Sequence, residues 1–188
     1  ELYPVEGWFT LLHGDEIWHD DPTWVAAEAE KARVEKVNWY IMNFFLHPSD
    51  KERKLEEIKS VQERVLWYCP GYLEIRSFRN KKGLSYHLAQ RHNVLPRGIG
   101  WQIYKHFPIY KHYPYRSVSQ IMHKKQQNIA TGFSVSYGRF ENEDQCFVEM
   151  LPNYKVARKF DGSFHEFELE NQGSLLRRWL RGHKYITW

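Results

Sequence analysis

Between Ile75 and Phe140 the chain contains no aspartate and no glutamate. That tract of 66 residues holds twelve arginines and lysines and five of the ten histidines. Residues 1–74 carry 15 acidic and 8 basic groups, and residues 141–188 carry 8 acidic and 7 basic. The formal net charge of +4 therefore conceals a strongly cationic middle. Like charges gathered in one segment repel and give the fold nothing in return, so the tract points to a polyanionic partner. Nucleic acid is the first such partner, because phosphate contacts supply most non-specific affinity.

Other shortages narrow the class further. Two cysteines, Cys69 and Cys146, make neither a disulfide framework nor a thiolate metal site, and suggest reduced, buried thiols in an intracellular protein. The longest apolar run, Trp39–Leu46, is far short of the roughly 20 residues that span a bilayer, so no membrane partner is expected. No cationic start with an apolar core marks a signal peptide, and the first residue, Glu1, suggests an excised piece. No glycine-rich phosphate loop, nucleophile elbow or complete metal motif occurs, so the expectation is of a binding protein without a cofactor. A nuclease using His87 or His92 with a distant carboxylate is the enzymatic alternative.

Aromatic residues are abundant, with 8 Trp, 12 Tyr and 11 Phe spread along the chain, and argue for a packed core. Asp21-Pro22-Thr23 reads as a helix start, and the helix is expected to run to about Phe45 before His47-Pro48. Ser49 to Glu52 has a capping-box pattern, which predicts a second helix ending before Pro70-Gly71. Three shorter helices are expected in the cationic tract, at about Lys81–Asn93, Gly100–Phe107 and Val118–Asn128, the last capped by Ser117. Beyond it, Phe133 to Gly138 alternates like a strand, Cys146–Leu151 is a second strand candidate, and Asp161-Gly162 marks a hairpin between 154–160 and 163–169. A short helix is expected over Leu175–Leu180. These readings give an α+β protein with an acidic helical bracing segment at 1–74, a basic three-helix unit at 75–130 and a β-rich segment at 131–188.

Trp101, Ile103 and Phe107, followed by Arg116-Ser117 and then Gln120, Ile121 and Lys124, resemble the second and third helices of a Myb/SANT-type, homeodomain-like module. The long intervening loop is more similar to the telomere-associated variety. The resemblance spans about residues 81–128 and departs from the family at Lys125, where a third-helix tryptophan is usual. It implies a nuclear protein of chromatin, telomere maintenance or transcription (cytoplasmic in a prokaryote) that binds double-stranded DNA. Val118, Ile121 and the stem of Lys125 would face the core, while Ser119, Met122, His123 and Gln126 would face the major groove. The family's base-reading positions fall on Met122 and His123. Arg79, Lys81, Lys82, Arg91, Arg97, Lys105, Lys111, Arg116, Lys124 and Lys125 are the candidate phosphate contacts.

Two further patterns occur in the tract. Phe78, Leu84, His87 and His92 resemble the second half of a two-cysteine, two-histidine zinc finger, but Gly71 and Glu74 stand where its thiolates belong. Tyr104, His106, Tyr110, His112, Tyr113 and Tyr115 alternate with cations in a way that suits base stacking, which keeps RNA or single strands open as partners. A module gripping an acidic protein partner is the remaining alternative.

Overall fold

The computed structural model describes residues 7–85, 96–100, 102–131, 140–151 and 155–164. Among these, strands dominate. They are β1 (Gly7–Thr10), β2 (Glu16–Trp18), β3 (Lys36–Phe45), β4 (Trp67–Asn80), β5 (Ile109–His112), β6 (Met150–Leu151), β7 (Lys155–Val156) and β8 (Arg158–Lys159). The helices are α1 (Pro22–Lys31), the single turn α2 (Val61–Arg64) and α3 (Val118–Ala130), with 3-10 turns at Pro48–Asp50, Leu55–Glu57 and Asp144–Cys146. One sheet has the order β1-β4-β3-β5-β2, with β8 also pairing with β4, and β6 and β7 form a separate ribbon. β1 runs antiparallel to β4, from Gly7 opposite Asn80 to Thr10 opposite Ser77. The segment leading into β5 runs parallel to β3, because Tyr104 N donates to Lys36 O and Tyr40 N donates to Pro108 O.

This architecture overturns the expected N-terminal helical pair and central three-helix unit. The helix expected to reach Phe45 stops at Lys31, and β3 takes over from Lys36. Its start is as predicted: Asp21 caps it by accepting from Thr23 N, with Pro22 in the first turn. Its end was hidden. Arg33 sits in the left-handed region at φ 55, and Val34 N returns to Ala29 O while Arg33 N returns to Glu30 O. That is a Schellman closure, which sequence normally signals with glycine. β3 itself is rich in β-branched and aromatic residues, and nearly every position is buried, as in a strand covered on both faces.

The second expected helix is replaced by the short turns between Pro48 and Arg64. Its cap is not Ser49. His47 accepts from Ser49 N through Nδ1, and Asp50 accepts from His47 N. Of the three helices expected in the cationic tract, α3 is present as predicted, with Ser117 Oγ accepting from Gln120 N, and residues 86–93 of the first lie outside the described residues. Residues 81–85 form a turn and a bridge from Ser85 to Arg97, and 102–107 are irregular apart from the Ile103 bridge to Lys36. In the C-terminal segment Cys146–Leu151 is a 3-10 turn followed by β6, and β8 pairs with β4. The expected strand at 133–138, residues 165–169 of the second hairpin arm and the helix at 175–180 lie outside the described residues.

The chain forms two compact units, one of Glu1–Ile41, Gly71–Lys111 and Phe167–Trp188, the other of Met42–Pro70 and His112–Glu166. In the first, Val25 and Ala29 of α1 pack on Val37, Trp39 and Ile41 of β3 and on Tyr110. Trp18 packs tilted against Trp39 with ring centroids 4.5 Å apart, and the Trp39 indole donates to Ser77 Oγ at 2.7 Å. In the second, Phe44 is the hub: Tyr113 lies 4.7 Å away, Tyr68 5.5 Å and Phe160 5.6 Å. Phe164 closes the group against Tyr68 at 5.0 Å. Aromatic pairs of this kind add to the area they bury.

The left-handed Arg33 yields a direct test. Arg33→Gly removes a backbone penalty of about 1 kcal/mol, partly offset by the greater freedom of an unfolded glycine. Urea unfolding should show the variant as stable as the parent or more so, whereas Arg33→Val should lose about 1 kcal/mol or more.

Candidate functional site

Two places collect polar side chains: a buried charge cluster in the first unit and the solvent face of α3 in the second. The cluster is built from strand alternation. Glu74 and Arg76 are two residues apart on β4, which puts both side chains on one face. Glu16 opens β2, and Tyr110 lies on β5. Arg76 Nη2 bonds Glu16 Oε1 and Glu74 Oε2, each at 2.7 Å. Its Nε and Nη2 donate to the Tyr110 hydroxyl at 3.2 and 3.0 Å, and that hydroxyl donates to Glu74 Oε2 at 3.1 Å. Nη1 lies 3.1 Å from His13 Nε2. A guanidinium has no lone pair to offer, so His13 Nε2 must accept, which places the imidazole proton on Nδ1, 3.4 Å from Glu16 Oε1. Glu16 Oε2 takes the backbone N–H of His13 at 2.8 Å. Arg76, Glu16 and Glu74 are all buried, and burial drives the Tyr110 phenol well above its ordinary range.

His13, Asp15 and Glu16 bring ligand atoms within 4.8 Å of one another. Arg76 already engages Glu16 Oε1 and His13 Nε2, so a metal ion there would have to compete with a guanidinium for the same atoms. The chemistry of this cluster is that of a fastener. In the sequence Arg76 is one of the twelve cations of the tract and is not among the candidate phosphate contacts. Glu74 two residues away was a visible signal, but Glu16 comes from 60 residues earlier.

Three cationic side chains of the tract in the first unit, Arg76, Arg79 and Lys81, are answered by carboxylates from outside the acid-free tract. Arg79 pairs with Glu30 at 2.9 Å, and Lys81 pairs with Glu35 at 2.7 Å. Glu35 also accepts from Gly100 N, and a Cβ at Gly100 would come within 2.8 Å of its carboxylate. The Lys81 ammonium, then the Gly100 N–H, holds the Glu35 carboxyl below its ordinary value. Lys111 is buried on β5, and desolvation lowers its ammonium from the ordinary lysine range. Lys82, Arg97 and Lys105 are exposed, and Arg91 lies outside the described residues.

The tyrosines whose spacing would suit base stacking or packing are core residues. Tyr104, Tyr110, Tyr113 and Tyr115 are buried, and His112 bonds Asn43 Oδ1 at 2.8 Å. Phe78 packs on Phe9 at 5.6 Å between β4 and β1, not in a finger, and His87 and His92 lie outside the described residues. Cys69 and Cys146 are buried free thiols.

In the second unit α3 gathers seven of the predicted residues, counting Arg116 just before its cap. Ile121 is its one fully buried side chain among thirteen residues. Ser119, His123 and Gln126 are exposed, as expected from the helical period. Gln127 and Ala130 share that face and were missed. Met122 is half-buried, as are Lys124 and Lys125, whose stems flank the Ile121 side. No acidic residue occurs in α3. Among the described residues no helix is long and apolar enough to cross a membrane. No family model matches the chain, and no similar curated protein or solved structure is found.

Two tests follow from the ion pairs. Arg76→Met strands two buried carboxylates and should cost about 3–5 kcal/mol in urea unfolding, part of which Glu74→Gln in the same chain restores. The Glu35 group, lowered in the fold, stabilises above its unfolded value of about 4.3 and loses that contribution as pH falls through its folded value. Glu35→Gln should therefore be less stable than the parent at neutral pH, and the gap should narrow as unfolding is measured at successively lower pH below about 4.

Proposed function

We propose that this protein binds double-stranded DNA by laying α3 in the major groove. The observation that carries this reading is a thirteen-residue helix with no acid, a single fully buried side chain and a solvent side that carries Ser119, His123, Gln126 and Gln127 beside the exposed Ile129 and Ala130. A helix of this diameter suits the major groove of B-form DNA. Ser119, His123 and Gln126 would meet base edges, and Arg116, Lys124 and Lys125 would reach phosphates on either side. The half-buried Met122 is a poorer base reader than the resemblance implied. Burial of the tract's tyrosines favours duplex over single strands, because stacking needs exposed rings. In a eukaryotic cell such a protein would work in the nucleus.

The test is fluorescence anisotropy with a labelled random-sequence duplex over a series of salt concentrations. The logarithm of the association constant should fall linearly with the logarithm of salt, and Lys124→Ala should reduce the slope by about one unit. Absent or salt-insensitive binding overturns the proposal.

A further inference from the structure

The composition of the α3 solvent face narrows the kind of duplex it suits. Taking Ile121 as the inward direction, the helical period of 100° per residue puts Ser119, His123, Gln126 and Ala130 on the outward side, with Gln127 beside them. All five are exposed. Arginine and lysine are the usual readers of guanine O6 and N7, and neither stands on this face. Lys124 and Lys125 lie toward the Ile121 side with half-buried stems. Aspartate and glutamate accept from cytosine N4, and α3 has none. Two glutamine amides remain, each able to accept from adenine N6 and donate to N7, together with the Ala130 methyl group, which suits the thymine methyl. Ser119 and His123 serve either pair.

We infer that α3 prefers A·T base pairs in the major groove, with Gln126 and Gln127 as the residues that set the preference. The inference rests on the reading of α3 as a duplex-binding helix. Both glutamines lie on the exposed side, so replacing them leaves the packing of Ile121 intact.

The experiment compares two duplexes of equal length and identical ends, one with an A·T core and one with a G·C core, at one salt concentration. The A·T duplex should bind about tenfold more tightly. Gln126→Ala and Gln127→Ala should each erode that ratio, by lowering affinity for the A·T duplex more than for the G·C duplex. Replacing adenine by 7-deazaadenine removes the N7 acceptor without altering the minor groove, and should lower affinity for the parent protein but not for the double glutamine variant. Equal binding of both cores, a G·C preference, or indifference to 7-deazaadenine overturns the inference while duplex binding stands. Failure to bind either duplex overturns the reading beneath it as well.

Discussion

Arg76 is the point on which the first unit turns. A guanidinium stays charged at any pH a protein meets, so burying it commits the surrounding chain to supply anions and acceptors. Glu16, Glu74, Tyr110 and His13 do so, from β2, β4, β5 and the turn between β1 and β2. Each partner left unbonded in a dry interior would be costly, so these elements are held to one arrangement. The backbone supports the same closure, since Leu11 N donates to Arg76 O. Tyr110 joins this polar group to the apolar one, because its ring meets Trp18 at 6.0 Å and its hydroxyl meets Arg76.

The same network changes the meaning of the acid-free tract. Counting charges along a chain treats the tract as if it folded only on itself. Arg76, Arg79 and Lys81 instead find Glu16, Glu30 and Glu35, all from residues before the tract. Part of the one-dimensional asymmetry is thus a record of ion pairing between segments far apart in sequence. α3 differs from the first unit in that it brings no acid of its own and carries Lys124 and Lys125 on its sides.

Local signals were legible where local chemistry decides. Asp21-Pro22 and Ser117 fixed the starts of α1 and α3, since a cap oxygen three bonds from the helix answers an N–H nearby. Of the outward set Ser119, Met122, His123 and Gln126, the helical period put three in solvent, and Met122 is half-buried. β3 was not legible. An alanine-rich start led the reading on through a left-handed Arg33, and a strand buried on both faces shows no alternation to set it apart from a buried helix. The tyrosines of the tract were ambiguous for a similar reason: interleaving with cations looks alike whether the rings face solvent or Phe44 and Trp18. The cluster around Arg76 draws on partners up to 63 residues away, beyond any pattern of spacing.

The single buried anchor of α3 has a dynamic consequence. A helix of thirteen residues owes most of its persistence to tertiary contacts, and here Ile121 provides the one fully enclosed contact. Local opening of this segment then exposes little apolar surface and lies well below global unfolding in free energy. Its amide protons should trade with solvent deuterium sooner than those of β3, where ten consecutive residues are almost wholly enclosed. An element so lightly moored can adjust its pitch and tilt to whatever it rests against.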